Sequence, residues 1–580
     1  MRRFTTTAFV ALSLITGWLS ACGFAVADGD LLRFVPREVG ICIEARDLHT
    51  AISEFVDGPM FARWTAHPAL AKWHAEQRAQ LEKASQQLKR QFGVSLDDLK
   101  SRLFGKQWVL GVVPTVAGAS GPPDGFLLVN VADAALLASS AEKLFETQRA
   151  ESRYVGKRES TFGDRTYSIH ELKADEDHSV FITYDGDFGA LAVRRSTLEK
   201  VLQLRGGGDR GGATSMDETP EFKTAYARLS ADAHLRAFAR PQVWIQKSVN
   251  GDGVKSSEAV DFSQMINFVA AAVRLGTVTR IEAVVEWDRE LIPDALRNVV
   301  DGLRGDTAAA APVPADALAA IAVRADMRQI ATAVLSLAER DAEARGKPTP
   351  AEALIAARLL GALGPNLSAA VTRAAVGDEM NPRLPVDWLV SVDTQSPAAG
   401  EPSLAAALDP LIRIGLGLAA EVYNEHVLDT ARIEAVRRSG IDVTGITGLG
   451  PLGLGQLFVA RRDGRFWVGG SKEIVSSEDS TSGEAAGDDK LATEQTAAKL
   501  HDPRLTTRTS YAFVNTSAAV DLIDDLLSKP PTWLAPLQTE PMQAKVRELQ
   551  RLLSLIDAAL LEATVDERSA QLTLAITVNK

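Results

Sequence analysis

Residues 33–55 read RFVPREVGICIEARDLHTAISEF, and residues 311–334 read APVPADALAAIAVRADMRQIATAV. Both segments contain Val-Pro, a short spacer, an alternating strand pattern, an Arg-Asp or Arg-Ala-Asp turn and then a helical pattern. An order of elements that recurs along a chain is the signature of an internal duplication, even where one connection differs in length. The sequence therefore predicts two tandem homologous copies of one folding unit.

Later elements repeat in the same order. LFGKQWVLGVVP (residues 103–114) resembles LGPNLSAAVTRAAV (363–376), and each copy then has a hairpin pattern with Asp-Gly at its tip, at 185–186 and 463–464. Gly186 and Gly464 are as far apart as Pro36 and Pro314, which supports the alignment. Each copy closes with an alternating strand. In the first copy that strand places Ile281, Ala283, Val285 and Trp287 on one face, and in the second Leu572, Leu574, Ile576 and Val578.

These patterns predict an α+β fold in which each copy is a mainly antiparallel sheet of about seven strands with interspersed packing helices. We expect the first copy at residues 31–305, a linker at 306–311 within the Ala/Pro-rich RGDTAAAAPVPAD, and the second copy at 312–580. Two helices show an apolar stripe at helical spacing. One follows Pro68, and the other contains Val546, Leu549, Leu553, Ile556 and Leu560.

The first 27 residues have the pattern of an export signal: two arginines, a short apolar run and two small-residue cleavage motifs. The first motif, LSAC, resembles the bacterial lipobox and implies a lipid on Cys22. The second motif, AVAD, is an A-x-A site and would release the chain after Ala27. Lipidation at Cys22 is the favoured interpretation and plain secretion stays open. Both predict an exported protein, in the periplasm or on the outer envelope if it is lipid-anchored.

The formal charge is −12, from 63 basic and 75 acidic residues. A nucleic-acid partner is not expected, because binding to phosphate backbones depends on dense Lys/Arg patches. The most apolar stretch after the signal, LAAALDPLIRIGLGLAAEVY, is interrupted by Asp409, Pro410 and Arg413 and is predicted to be a helix on a core.

No motif predicts catalysis, a metal or a cofactor. Gly448, Gly450 and Gly453 have dinucleotide-fingerprint spacing, but a hairpin pattern follows them instead of the helix that would bind phosphate. His67 and His74 lie two helical turns apart, which is too far for a shared ion without other ligands. The acidic run ADEDHS, residues 174–179, lacks the spacing and the glycine of a calcium loop. Cys42 lies in an apolar strand pattern and is expected to be a buried, inert thiol.

The signal, the opening Val-Pro, strand and Arg-Asp-Leu pattern, and the order of elements resemble a group of large bacterial envelope proteins of unknown function. That resemblance implies no catalytic residues. The sequence favours an exported, non-enzymatic protein that binds a partner or an apolar ligand. A secreted hydrolase with a dispersed active site and a purely structural envelope scaffold stay open as alternatives.

Overall fold

The structure is a computed structural model. It describes residues 30–578 except 96–97, 105, 115–123, 175–177, 208–213, 244–263, 305–316, 345–347, 349–350, 352, 355–356, 358–360, 362, 375–385, 395–411, 415, 419, 423, 426–430, 439, 449–455, 463, 477–495, 498, 502–508 and 529–538. The predicted signal with Cys22 and Ala27 lies outside the described residues.

The chain divides into two compact units, Met1–Leu291 with Lys580, and Ile292–Asn579. Unit 1 contains one antiparallel sheet with the strand order β4-β5-β6-β7-β3-β2-β1-β8-β9-β10. Its strands are β1 Ile41–Arg46, β2 Gln107–Val113, β3 Asp124–Asn130, β4 Tyr154–Phe162, β5 Arg165–Lys173, β6 Ser179–Asp185, β7 Phe188–Ala192, β8 Leu235–Ala239, β9 Ile266–Arg274 and β10 Val278–Trp287.

Unit 2 also contains one antiparallel sheet, with the order β14-β15-β16-β17-β13-β12-β11-β18-β19-β20. Its strands are β11 Ala317–Arg324, β12 Leu363–Arg373, β13 Val386–Thr394, β14 Arg432–Arg438, β15 Ile441–Thr447, β16 Gln456–Arg462, β17 Arg465–Gly469, β18 Ser510–Asn515, β19 Ala558–Val565 and β20 Ser569–Thr577.

The strand order of unit 2 is that of unit 1 with ten added to each strand number. The α+β prediction is confirmed, but the expected strand number is too low, because each unit has ten described strands and not about seven. The outermost strands β4 and β14 are polar, which explains part of the difference between the expected and the observed number of strands. Their residues are half-buried or exposed, so the hydrophobic alternation that reveals a strand with one buried face is weak there.

The first hairpin differs from the prediction by one residue. Asp185 pairs with Phe188, so the turn is Gly186-Asp187 and Asp185 is still in β6. In unit 2 Arg462 pairs with Arg465, so Gly464 is the second residue of its turn and not the first. Both glycines have positive φ, +59° and +73°, as two-residue hairpin turns require. The glycines are therefore not equivalent positions of the two hairpins.

The helices are named in chain order: α1 Leu48–Val56, α2 Pro59–Ala66, α3 Pro68–Phe92, α4 Ala134–Ala150, α5 Arg195–Arg205, α6 Pro220–Arg228, α7 Asp294–Gly302, α8 Met327–Ala344, α9 Lys472–Ser476, α10 Thr516–Ser528 and α11 Glu540–Leu553. Helix α3 confirms the helix predicted after Pro68. It ends at Gly93 with φ +74°, the left-handed conformation that glycine adopts most readily.

The sheet of unit 1 is packed on both sides. One side forms the larger core with a 3₁₀ helix at Leu31–Phe34 and with α5 and α6, through residues such as Phe126, Phe238 and Leu198. On the other side, Trp108, Leu127 and Val129 of the neighbouring strands β2 and β3 pack with Leu88 of α3 and with leucines of α4. Unit 2 has two smaller described clusters, centred on Phe466 and on Phe458 with Trp467.

The predicted stripe of the last helix is wrong in extent and in burial. Helix α11 ends at Leu553, and Leu560 belongs to strand β19, where it is buried. No residue of α11 is buried, and Leu549 is exposed. Leucines at helical spacing run on into the next strand, so the pattern hides the boundary. Among the described helices, none has both the length and the apolar character needed to cross a bilayer.

Candidate functional site

In three strands at one end of each sheet, polar residues face the interior and aliphatic residues face outward. These strands are β8–β10 in unit 1 and β18–β20 in unit 2. In unit 1 the side facing the larger core has Arg236 of β8 paired with Ala272 of β9, which pairs with Glu282 of β10. In unit 2 the corresponding row contains Tyr511, Glu562 and Thr573 of β18, β19 and β20. We call these two sets, together with Glu44 of β1, the polar row.

The opposite side of the same strands is made of aliphatic residues and alanine. We call it the aliphatic face. It consists of Leu235, Ala237, Ala271, Val273, Ile281, Ala283 and Val285 in unit 1, and of Ile321, Ala512, Leu561, Ala563, Leu572, Leu574 and Ile576 in unit 2.

On these strands the polar residues are more deeply buried than the aliphatic residues next to them. The exposed fraction is 36% for Leu561 and 1% for Glu562, and it is 43% for Leu572 and 0% for Thr573. In unit 1 it is 42% for Ile281 and 1% for Glu282. Single exposed apolar residues such as Ile281 are ordinary. In unit 2, however, Ile321, Leu561 and Leu572 are all exposed on one face, with a buried carboxylate on the opposite side. This part of each sheet therefore places polar side chains in the interior and partly exposed aliphatic side chains on the opposite face.

Hydrogen bonds from a neighbouring loop compensate the burial of Glu282. Its carboxylate accepts hydrogen bonds from the backbone N–H of Ser230, at 2.8 Å, and from the Ser230 hydroxyl. Arg236 donates to the Ser230 carbonyl, also at 2.8 Å, and its guanidinium lies over the Tyr226 ring, 5.1 Å from the centroid. A buried charge is tolerated only when its desolvation is offset by such contacts.

Glu44 connects the polar row to the start of the described chain. Arg236 Nη1 lies 3.6 Å from Glu44 Oε2, and Gln107 Nε2 donates to Glu44 Oε1. Arg46 donates to Glu44 and, through Nη2, to Asp30 Oδ2 at 2.7 Å. Burial raises the pKa of Glu44 despite these cations. The network fastens Asp30 to the ends of β1 and β2.

Unit 2 holds its buried carboxylate in a similar way. His501 Nδ1 lies 2.7 Å from Glu562 Oε1. His501 directly follows the buried Leu500, just as Ser230 directly follows the buried Leu229 after α6. In each unit the residue after a buried leucine thus reaches a carboxylate on the polar side of the sheet.

A second polar contact also occurs in both units. The Thr197 hydroxyl, in the first turn of α5, donates to Asp124 at the start of β3. The Ser471 hydroxyl, just before α9, donates to Asp387 near the start of β13. Burial raises the pKa of Asp124. Both contacts tie the helix that follows the hairpin to the first residues of a central strand.

Unit 2 contains a cleft of about 180 Å³, open solvent included, lined by Ala322, Val323, Asn366, Leu367, Ser368, Ser391 and Arg465. Small-molecule pockets usually start at roughly 300 Å³. The polar groups of the cleft bond to one another or to Asp393: the two serine hydroxyls are 2.7 Å apart, and Arg465 Nε lies 2.6 Å from Asp393 Oδ1. Its lining offers no nucleophile paired with a base.

The residues singled out in the sequence do not come together. Cys42 is fully buried in β1, and burial raises the pKa of its thiol well above the usual value. Gly448 follows β15, Gly450 and Gly453 lie outside the described residues, and the next element is the hairpin β16–β17, as predicted. His67 immediately precedes α3 and His74 lies within it. Of the acidic run, residues 175–177 are outside the description. The described residues contain no cluster of His, Cys, Asp and Glu able to hold a metal.

Sequence reasoning missed Arg236, Glu282 and Glu562. The available signal was a charge at alternate positions of an otherwise apolar strand, as in IEAVVEW. That signal indicates which residues share a face, but it does not indicate that the charged face is the buried one.

No protein-family model matches the chain, and no curated protein or solved structure is significantly similar to it.

Proposed function

We propose that this chain is an exported, lipid-anchored envelope protein that binds an apolar ligand on its aliphatic face and catalyses no reaction. The export signal and the lipid on Cys22 are supported by the LSAC motif. The binding role is supported by the exposed aliphatic face backed by buried charges. An acyl chain bound to this face would remove its own apolar surface and that of the face from water.

We also propose that the two units are copies of one ancestral folding unit. The identical order of ten strands supports this, and so does the register. Arg46 pairs with Gln107 in unit 1, and Arg324 pairs with Asn366 in unit 2. The repeated Asp–hydroxyl contact supports it further. The two units differ in the polar row, where Arg236 corresponds to Tyr511.

The single observation that carries the binding proposal is the reversal at Leu561 and Glu562. A protein whose aliphatic face met only water would gain stability from a polar residue at Leu561 and would have no need to bury the next carboxylate. Keeping the arrangement makes sense where an apolar molecule covers the leucine.

The test has two parts. Native mass spectrometry of the protein purified from the envelope should show a co-purifying apolar molecule. Binding of a fluorescent fatty acid should then be measured for the double variant Leu561→Ser, Leu572→Ser. Losing about 1 kcal/mol of apolar contact per leucine weakens binding roughly 10- to 30-fold.

The matched control is Ile433→Ser. Ile433 is exposed on β14, at the other end of the same sheet, so this change removes a similar apolar area away from the aliphatic face. Equal binding by both variants, or no binding by the parent protein, would contradict the proposal. A broad hydrolase screen with activity lost on changing one polar residue would favour the enzyme alternative.

The lipid is tested separately. Cells fed a palmitate analogue should label the wild-type chain and not the Cys22→Ser chain. An unlabelled wild type would remove the tether and leave secretion after Ala27.

A further inference from the structure

Helices α1 and α2 carry an aromatic cluster at the surface of unit 1. The ring centroid of Phe55 lies 5.9 Å from that of Phe61 and 5.8 Å from that of Trp64, both in edge-to-face geometry. Trp64 is 37% exposed and the adjacent Val56 is 42% exposed. Trp is enriched at the headgroup level of membranes, and Trp and Phe occur together on the apolar faces of helices that lie in the membrane interface.

The tether brings this cluster close to a bilayer. Asp30 is the eighth residue after Cys22, so a fully extended chain would reach at most about 28 Å from the lipid. Asp30 is fastened to Arg46 by the network described above, and α1 begins two residues after Arg46. Phe55 lies seven residues beyond the start of that helix, roughly 11 Å along its axis. The aromatic cluster therefore lies within the reach that the anchor allows.

We infer that the surface formed by Phe55, Val56, Phe61 and Trp64 docks on the lipid bilayer to which Cys22 is anchored. This rests on the tether of the proposed function. The contact is apolar and not electrostatic. The charged residues within these two helices and the link between them are Glu54, Asp57 and Arg63, which do not form a basic patch.

A lipid chain alone gives marginal, reversible membrane binding, and a second contact is needed for stable attachment. The aromatic cluster supplies that second contact. It also fixes which side of unit 1 faces the membrane, since the α1–α2 surface must then be the membrane-proximal one.

The test uses the chain that starts at Asp28, which lacks both Cys22 and the apolar signal segment, and flotation with vesicles of phosphatidylcholine. The parent protein should float with the vesicles, and 0.5 M NaCl should not release it. The double variant Val56→Ser, Trp64→Ser should lower the vesicle-bound fraction at least about 5-fold. Trp64→Phe should keep binding because it retains an aromatic ring, and Val155→Ser, an exposed valine on β4, should have no effect.

Failure of the parent to float, unchanged flotation of the double variant, or release by salt would overturn the docking surface. Loss of flotation in Leu561→Ser, Leu572→Ser but not in the Trp64 variant would also overturn it, because the aliphatic face would then be the membrane contact. These outcomes are distinct from those of the proposed function, since palmitate labelling and fatty-acid binding are read from other residues.

Discussion

Leu561 and Glu562 are consecutive residues of β19, and the glutamate is the one that faces the interior. The same relationship holds for Ile281 and Glu282 in β10. Because a strand alternates its side chains between two faces, each pair fixes the polarity of both sides of its sheet. Hydrogen bonds therefore stabilise the carboxylates in the interior, while the neighbouring aliphatic side chains stay partly exposed to water.

Arg236→Met should destabilise unit 1 strongly. Methionine has a similar length, but it removes the Arg236 guanidinium from Glu44 and leaves the Ser230 carbonyl without its donor. We expect a loss of about 3 kcal/mol in the free energy of unfolding, measured by urea denaturation. Arg274→Met is the control, because the Arg274–Asp232 pair is at the surface and should contribute less than about 1 kcal/mol. Similar effects of the two changes would contradict a structural role for the polar row.

The contribution of His170 to the stability of unit 1 should decrease as the pH falls below about 6.5, the ordinary pKa of histidine. Burial lowers the pKa of His170, whose ring stacks on Phe145 at 4.0 Å and bonds to the Tyr154 hydroxyl. Above pH 6.5 the ring is neutral in both states and contributes no pH dependence. Below it, the unfolded chain binds the proton first, so stability falls until the lower folded pKa is passed.

Urea denaturation at pH 7.5, 6.5 and 5.5 measures this slope, and His170→Phe should make it shallower. A residual slope is expected from His234, whose pKa is also lowered by burial. Glu44 and Asp124 contribute in the opposite direction, because their raised pKa makes the folded chain bind a proton before the unfolded chain does. An unchanged slope in the variant would show that His170 is not the group responsible.

Gly111→Ala and Gly156→Ala should differ although both place an alanine in a strand. A Cβ on Gly111 of β2 would overlap the Phe126 ring in the core, whereas nothing lies within 4 Å of a Cβ on Gly156 of β4. We expect Gly111→Ala to cost about 1–3 kcal/mol. Gly156→Ala should be neutral or stabilise by up to about 1 kcal/mol. Thermal unfolding would check both, and equal melting temperatures would contradict the packing.

Thr197→Val and Ser471→Ala should have similar effects in the two units. Each removes the hydroxyl that bonds to a strand-start aspartate, Asp124 or Asp387. Loss of a buried partner costs about 1–3 kcal/mol. Hydrogen exchange can assign the loss to one unit at a time. A large effect in one unit and none in the other would argue that the repeated contact is not a retained feature.

The Cys42 thiol should resist thiol reagents in the folded protein. It is fully buried, and burial together with the nearby Glu44 raises its pKa, so little thiolate forms. Reaction with a chromogenic disulfide should therefore follow the unfolding curve in urea. Rapid reaction without denaturant would contradict the placement of β1.

The sequence was informative where local pattern and tertiary structure agree. Strand β1 follows from the alternation in VGICIEA, and helix α3 from its 3.6-residue period. The repeated order of elements led to the correct fold class. The edge strands β4 and β14 were harder to predict, because a polar ribbon at the end of a sheet buries too little for its alternation to stand out.

The candidate site could not be predicted from the sequence. Which face of these strands is buried depends on hydrogen-bond partners that lie far away along the chain. Glu282 is held by Ser230, 52 residues away, and Glu562 by His501, 61 residues away. Without those partners, elementary hydrophobic reasoning places Ile281 and Leu561 inside. Long-range compensation of a buried charge leaves no local pattern in either strand.

Two sheets with the same strand order can mispair during folding. A strand of one unit can then pair with the strand of the other unit that corresponds to its correct partner. The polar row penalises that exchange. If β1 took β18 in place of β8, Glu44 would lie opposite Tyr511 and lose Arg236. If β8 joined β11, Arg236 would lie opposite Ala322. In either mispairing Arg236 would lose its contact with Glu44, so we expect this ion pair to favour the pairing of β1 with β8.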